Sequence, residues 1–378
     1  MLLHIPDVKE CLTRPDNAPE KWELEEHTKV KHQILEKYIR SWISILSSRN
    51  EKMGYFDCFA GRGVYNNGEP GSPIIVMNAA QEQIDRLSNL KKFNCAFIEN
   101  NKGNFVSLEE EVTKYKLNCN DIECSALHGD FDKVITDFLD QYEGKFMIPV
   151  LYFIDPFGWK GISFDDIKRI LSHRFSEVLF VLMTYEMARW CESPYHAESL
   201  TELFGGDEWK EATKYKEERR HQALVQIYED KLQNDTDAKF VWSFGVNDSD
   251  MEKRTKYYIV HATHHIKGLR VMKNIMRKEG SGIFRYLGPE DDILKRQQRF
   301  DFFDFERYLL DYFQGRVVTF DDICDELYPV SRHQISKYID TDYRKALKIL
   351  RKDGKIRVDS VTSKTPRGLQ GKDLVYFP

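Results

Sequence analysis

The sequence predicts an α/β protein in which a mainly parallel sheet, covered by helices on both faces, is followed by a smaller basic domain. Three observations carry this. Strand-length apolar runs alternate with helical patterns along most of the chain, and that alternation builds parallel sheets with helices on either side. The length, 378 residues, suits two domains, or one α/β domain with an appendage. Charge is unevenly divided: from Ser331 onward there are 12 Lys and Arg against 5 Asp and Glu, while residues 1–330 carry a net −12. The Gly288-Pro289 break and the charged stretch Glu290 to Arg307 place the boundary near 295, giving domains 1–295 and 296–378.

Composition narrows the class further. Hydrophobic residues at 41% and aromatics at 13% are ordinary for a globular chain and exclude a disordered one. The seven cysteines are spread without a CxxC pair, so neither a disulfide framework nor a four-ligand zinc site is expected. The opening MLLHIPDVKECL lacks the basic start and apolar stretch of a signal peptide, and no run approaches the roughly 18 apolar residues of a membrane helix. A cytoplasmic protein without membrane contact is the expectation.

Element by element, Val30, Ile34, Leu35, Tyr38, Ile39, Trp42 and Ile45 recur at helical spacing and predict an opening amphipathic helix. MGYFDCFAG then reads as a buried strand entering a glycine turn, and FNCAFIEN, VLYFIDPFG, EVLFVLMTY, FVWSFGVN and KYYIVHATHH follow as further strands. In open α/β sheets ligands bind beyond the carboxyl ends of the strands, so chemistry is expected where these runs stop.

The first strand stops at Asp57-Cys58-Phe59-Ala60-Gly61-Arg62-Gly63. Two glycines there allow a tight turn and close approach of backbone to a ligand, with Asp57, Phe59 and Ala60 beside it. The second stops at Glu99-Asn100, where a carboxylate can accept from the two hydroxyls of a ribose. The third stops at Gly129-Asp130-Phe131, offering an acid for an adenine amino group and a ring beside it. The fourth runs into Asp155-Pro156-Phe157-Gly158, a rigid polar lip where Asp155 can accept from an exocyclic amine and Phe157 can stack on a base. Each acid alone is also an ordinary strand-end residue; their order is what points to a nucleoside-binding sheet.

With those residues in place, the chain resembles the class I S-adenosylmethionine-dependent methyltransferases, and more narrowly the three-Cys-motif partner protein family (TcmP). The stretches that carry the resemblance are HTKVKHQILEKYI, YFDCFAGRGVY, GEPGSPI, FIEN, FIDPFG and YYIVHATHH, spanning roughly residues 22 to 290. The resemblance implies a Rossmann-like methyltransferase sheet, S-adenosyl-L-methionine as cofactor, and a neighbouring three-Cys-motif, radical-SAM-like protein as partner. Bacterial rRNA adenine-N6 methyltransferases share a similar Lys-His helix, glycine turn and PGSP segment, but end the fourth strand in Asp-Pro-Pro and an aromatic, where this chain has Phe157 and Gly158. The tRNA guanine-N2 dimethyltransferases carry Asp-Pro-Phe-Gly, usually followed by Ser-Pro where this chain has Trp159-Lys160. Both methylate an exocyclic amine of a nucleic-acid base, RNA or DNA being open here, which makes Asp155, Pro156 and Phe157 the catalytic candidates. Cofactor candidates are Lys31, Asp57, Phe59, Ala60, Gly61, Gly63, Glu99, Asn100, Asp130 and Phe131.

Other features have bland readings beside the functional ones. His261, His264 and His265 alternate along a strand and do not share a face, so no metal is expected. His27 and His32, near Lys29 and Lys31, either face an anion or form a solvated helix face. The aromatics from Tyr185 to Trp209, mixed with Arg189, are either a substrate wall or helix packing.

The last domain reads as an aromatic helix from Phe302 to Phe313, a short helix capped by Thr319, a helix from about Asp342 to Lys352, and two strands, Lys355 to Val361 and Lys372 to Phe377. Three helices and a hairpin form a winged helix-turn-helix. Its third helix would offer Arg344, Lys345, Lys348, Arg351 and Lys352 to nucleic acid, with Lys364 and Arg367 on the wing. A protein-binding winged helix looks the same from sequence. The function of a different class is therefore a non-catalytic nucleotide sensor or scaffold whose winged helix binds a protein.

Overall fold

The computed structural model describes residues 24–117, 121–142, 148–247, 255–280, 285–286, 304–329, 334–361 and 368–378. The expected wing cations Lys364 and Arg367, and most of the expected connector, lie outside the described residues. The described residues divide into two compact units: the first runs to His264 and takes in Tyr286, and the second begins at His265. The second unit therefore starts ahead of the boundary expected near 295.

The first unit opens with α1 (Glu26–Leu46), followed by β1 (Lys52–Asp57), α2 (Ser72–Arg86), β2 (Lys92–Glu99), α3 (Lys102–Lys116), β3 (Ile122–His128) and α4 (Phe131–Tyr142). The chain continues through β4 (Val150–Ile154), α5 (Phe164–Ser172), β5 (Ser176–Leu182), α6 (Thr184–Trp190), α7 (Pro194–Phe204), a 3-10 turn, α8 (Glu217–Asp235), β6 (Phe240–Asn247) and β7 (Thr255–Thr263). The strand order is β3-β2-β1-β4-β5-β7-β6, with the two-residue β8 (Arg285–Tyr286) after β6. The first five strands are parallel, and β7 lies antiparallel to both β5 and β6. This is the doubly wound order, with the seventh strand in sequence inserted between the fifth and sixth.

Why the strands read as unbroken apolar runs is visible in their burial. Every residue of β4 and β5 is buried, because helices cover both faces. On one face Phe56 stacks on Tyr152, with Phe138 of α4 edge-on at 4.5 Å. On α1 the apolar stripe is buried as expected from Val30 to Trp42, but Ile43 completes it and Ile45 is exposed.

The second unit contains α9 (Ile266–Glu279), α10 (Phe305–Tyr312), β9 (Val317–Thr319), α11 (Phe320–Leu327), α12 (Asp340–Lys352), β10 (Arg357–Asp359) and β11 (Leu374–Tyr376). Its strands form an antiparallel sheet in the order β10-β11-β9. Thr319 caps α11 in a capping box with Asp322, the local signal read in the sequence. The early start of this unit has a physical cause. Arg270 of α9 donates to Asp321, Asp325 and Asp340 at 2.9–3.0 Å, and buried Lys273 donates to the Tyr328 carbonyl at 3.2 Å. These contacts bind α9 to the elements after the Gly-Pro break.

Candidate functional site

Because β1 to β5 are parallel, the stretches after Asp57, Glu99, His128, Ile154 and Leu182 all emerge at one end of the sheet. That end gathers the cofactor and catalytic candidates of the first unit.

The turn after β1 is fixed by its own backbone. Gly61 and Gly63 take positive φ, 62° and 81°. Further on, Gly71 N–H donates to the Gly63 carbonyl at 2.8 Å, and Val64 bridges Pro70. A Cβ on Gly71 would lie 2.8 Å from that same carbonyl oxygen, so the neck of this loop admits glycine only. Pro73 then sits in the first turn of α2, a position where its missing N–H costs nothing. The GRG and PGSP motifs are thus the two sides of one closed loop.

Glu99 ties this loop to β2. Its carboxylate accepts from Gly61 N–H at 2.8 Å and from Asn101 N–H at 2.7 Å, and Asn104 also bonds to it. The residue is 8% exposed, and burial pushes its carboxyl above the ordinary range against the pull of those donors. Three of roughly four acceptor positions on a carboxylate are then used within the protein. Asn100 donates to Asp130 at 2.6 Å, and Lys133 pairs with the same carboxylate at 3.0 Å. Phe131 is buried and stacks on half-buried Phe59 at 5.5 Å, so this pair forms an apolar wall next to the acids.

Asp57 is fully buried rather than presented to the surface. It accepts from Phe59 N–H at 3.4 Å and Tyr55 O–H at 3.3 Å, and bonds to the Ser72 hydroxyl. Burial, with Asp155 nearby as a further cause, pushes its carboxyl up to about 7. Ala60 is buried as well, its N–H donating to the Ile98 carbonyl at 2.8 Å.

At the end of β4, Asp155 is half-buried and forms an ion pair with Lys31 of α1. Lys31 also lies over the Tyr257 ring at 5.8 Å. Pro156 is buried beneath the turn, while Phe157 is 72% exposed. Trp159 anchors the turn by donating from Nε1 to Ser199 Oγ at 3.0 Å. His32 is buried against Tyr65 and pushed down to about 3 by burial and by Lys31, so it offers no charge to an anion. His27 instead meets Glu25 and Lys256, each at 2.8 Å.

Several contributors escaped the sequence reading. Asn101 and Asn104 open α3, Asn101 as its cap, and an Asn before a helical run was a signal for that. Ser72, within PGSP, touches Asp57. Tyr65, on the loop, feels both Asp155 and Asp57. Of the three histidines read as lying along one strand, only His261 is on β7, buried with Nε2 3.1 Å from Glu177, which Tyr38 also bonds, while His264 and His265 come after the strand ends at Thr263. Among the described residues no group of His, Cys, Asp or Glu is arranged to hold a metal ion, and no helix is long and apolar enough to cross a membrane.

In the second unit the five basic candidates share α12 without sharing an environment. Lys345, Lys348, Arg351 and Lys352 are exposed. Arg344 is half-buried, with its guanidinium over the Phe320 ring at 4.1 Å and Asp340 at 4.0 Å.

No family model and no curated protein matches the chain. Among solved structures it is similar to protein LPL1258 from Legionella pneumophila str. Philadelphia 1, of DUF519, at 13% identity and TM-score 0.37, over 64% of this chain and 86% of that one. It is also similar to a loganic acid methyltransferase with SAH, at 9% identity and TM-score 0.25, over 96% of this chain and 97% of the other. The chain itself is a mixed α/β protein whose central sheet is compatible with a Rossmann-like methyltransferase fold.

Proposed function

We propose that this chain is an S-adenosylmethionine-dependent methyltransferase acting on an exocyclic amine of a nucleic-acid base, and that its second unit is a winged helix engaging nucleic acid. The observation that carries the reading is the arrangement of acids at one sheet end. Glu99 and Asp130 follow β2 and β3, Asp155 follows β4, and the closed glycine loop lies after β1 between them. The donor set suits the cofactor: a buried carboxylate with one acceptor position to spare, a second acid on the next strand, and an apolar wall from Phe59 and Phe131.

When bound, S-adenosylmethionine supplies an electrophilic methyl group. The protein's part is positional. Glu99 accepts from a ribose hydroxyl, and Asp130 with Asn100 addresses the adenine edge. Asp155 accepts a hydrogen bond from the target amine, which leaves the nitrogen lone pair free for attack, while Lys31 on its other side fixes its orientation. Pro156 keeps that carboxylate at the lip and Phe157 offers a face to the base. In the second unit, the order helix, strand, helix, helix and hairpin supports the winged-helix reading. The three-Cys-motif partner and a cytoplasmic location belong to the same proposal.

The test is mass spectrometry of nucleosides from total RNA and DNA of cells with the wild-type protein, with Asp155→Ala, or without it, the three-Cys-motif partner being co-expressed. A methylated adenine or guanine that tracks the wild type alone is expected. Purified Asp155→Ala should still bind S-adenosylhomocysteine in a calorimeter, since Asp155 acts on the amine. Unchanged nucleosides across all three would turn the assignment to a non-catalytic scaffold.

A further inference from the structure

The helices after β5 carry a surface that the proposed chemistry does not use. β4 and β5 are parallel neighbours, so α6 and the Asp155-Pro156-Phe157 turn leave the sheet at the same end. Trp159, anchored to Ser199 of α7, meets the His196 ring at 5.4 Å, and His196 meets the Trp190 ring of α6 at 5.7 Å. The turn and both helices are therefore joined through two ring contacts that share His196. Rings on these three elements face solvent: Tyr195 is 92% exposed, Trp190 39% and Phe157 on the turn 72%. Arg189 lies over Trp190 at 4.9 Å, a cation on the ring face.

Helix packing accounts for Leu200, Leu203 and Phe204 of α7, all fully buried, but not for an adjacent tyrosine left in water. The charges indicate what would cover it. Glu186 accepts from Trp190 Nε1 and Glu192 pairs with Arg220, while Glu198 stays exposed on α7. Lys160, Arg189 and Arg220 only match these three acids in number, so the patch carries no net positive charge with which to grip phosphates. It is suited to stacking on base faces, which carry no net charge and are exposed only in unpaired strands.

We propose that Trp190 and Tyr195 form a stacking platform for the unpaired bases that flank the target base, so that the substrate is single-stranded nucleic acid at this point. The proposal deepens the methyltransferase reading and rests on it for the word target; the stacking itself is separable. The experiment measures anisotropy of a labelled six-nucleotide single-stranded RNA, and of its DNA counterpart, on the full chain. Trp190→Ala and Tyr195→Ala are compared with Trp190→Phe and Tyr195→Phe, with thermal melts confirming that each variant folds. Each alanine should weaken binding by roughly fivefold to a hundredfold, and each phenylalanine should restore most of it. The ratio of variant to wild type should be the same at low and high salt, because stacking releases no counterions.

Alanine variants that bind like the wild type, phenylalanine variants as weak as alanine, or a wild type that binds neither oligonucleotide would each overturn the platform. In the last case the patch would be reassigned to a protein partner. Calorimetry with S-adenosylhomocysteine on the same samples separates the two readings. Ring-dependent binding without cofactor heat keeps the platform and removes the methyltransferase, and cofactor heat without ring dependence does the reverse.

Discussion

Replacing Glu99 with alanine tests the centre of the site, because one carboxylate there serves both the fold and the proposed cofactor. It removes an acceptor from Gly61 N–H and from Asn101 N–H, at 2.8 and 2.7 Å. Hydrogen bonds to a charged group contribute about 1.5–3 kcal/mol each, so the two backbone bonds alone are a gross loss of about 3–6 kcal/mol, to which the bond from Asn104 adds. Burial opposes ionisation here, shown by the raised carboxyl, and returns part of that when the charge is removed. A net destabilisation of about 2–3 kcal/mol remains, which for a domain of this size lowers Tm by roughly 4–12 °C. Under the proposed function the cofactor takes the one acceptor position left over, so a single charge-assisted bond is lost and Kd should rise about tenfold to a hundredfold. Glu99→Gln keeps one acceptor oxygen and should fall between the two. Scanning calorimetry gives Tm and titration of S-adenosylhomocysteine gives Kd. A variant with wild-type Tm would refute the bridging role, and one with lowered Tm but wild-type Kd would refute the cofactor role alone.

Two further expectations follow from other residues. The Asp57 carboxyl titrates near 7 in the fold against an ordinary 3.8, so its contribution is fully present below the ordinary value and is lost as pH rises through about 7. Wild type should therefore lose up to about 4 kcal/mol relative to Asp57→Asn between pH 4 and 8, and denaturant melts showing a constant difference would contradict this. In the second unit, Lys345, Lys348 and Lys352 all project from α12 into solvent. Changing all three to Gln should flatten the salt dependence of duplex binding by up to about 0.9 for each phosphate no longer neutralised. Arg344→Gln should lower stability and leave that slope in place, because its guanidinium rests on Phe320; equal slopes for wild type and the triple variant would remove α12 from the interface.

The strands and their ends were legible because a buried parallel strand is an unbroken apolar run whose polar stop is conspicuous. MGYFD, FIE and LYFID show this directly, and each stop lies where expected. Contacts that depend on packing were not legible. Lys31 and Asp155 lie 124 positions apart and meet only because α1 brings Lys31 to the end of β4. Charge composition presented Arg344 as one more cation of a basic helix, and no local pattern showed that its guanidinium lies over the Phe320 ring. The Gly-Pro break marked a boundary by local backbone preference. The unit itself begins earlier because Arg270 finds three carboxylates whose positions no local pattern encodes.

The Lys31–Asp155 pair also constrains how the proposed site works. A carboxylate already held by an ammonium group has directional acceptor positions left, and the amine must approach one of these rather than the face taken by Lys31. Asp57, fully buried and with its carboxyl pushed up to about 7, carries about half of a full negative charge at pH 7, so it competes for that cation less than an ordinary carboxylate would. The lip is then a single oriented acceptor, set by a helix from the start of the chain and a turn from its middle. Under the proposed function, this arrangement would favour an exocyclic amine over a ring nitrogen: the acceptor rewards an N–H donor, and a ring nitrogen with only a lone pair would leave Asp155 facing an electron-rich atom.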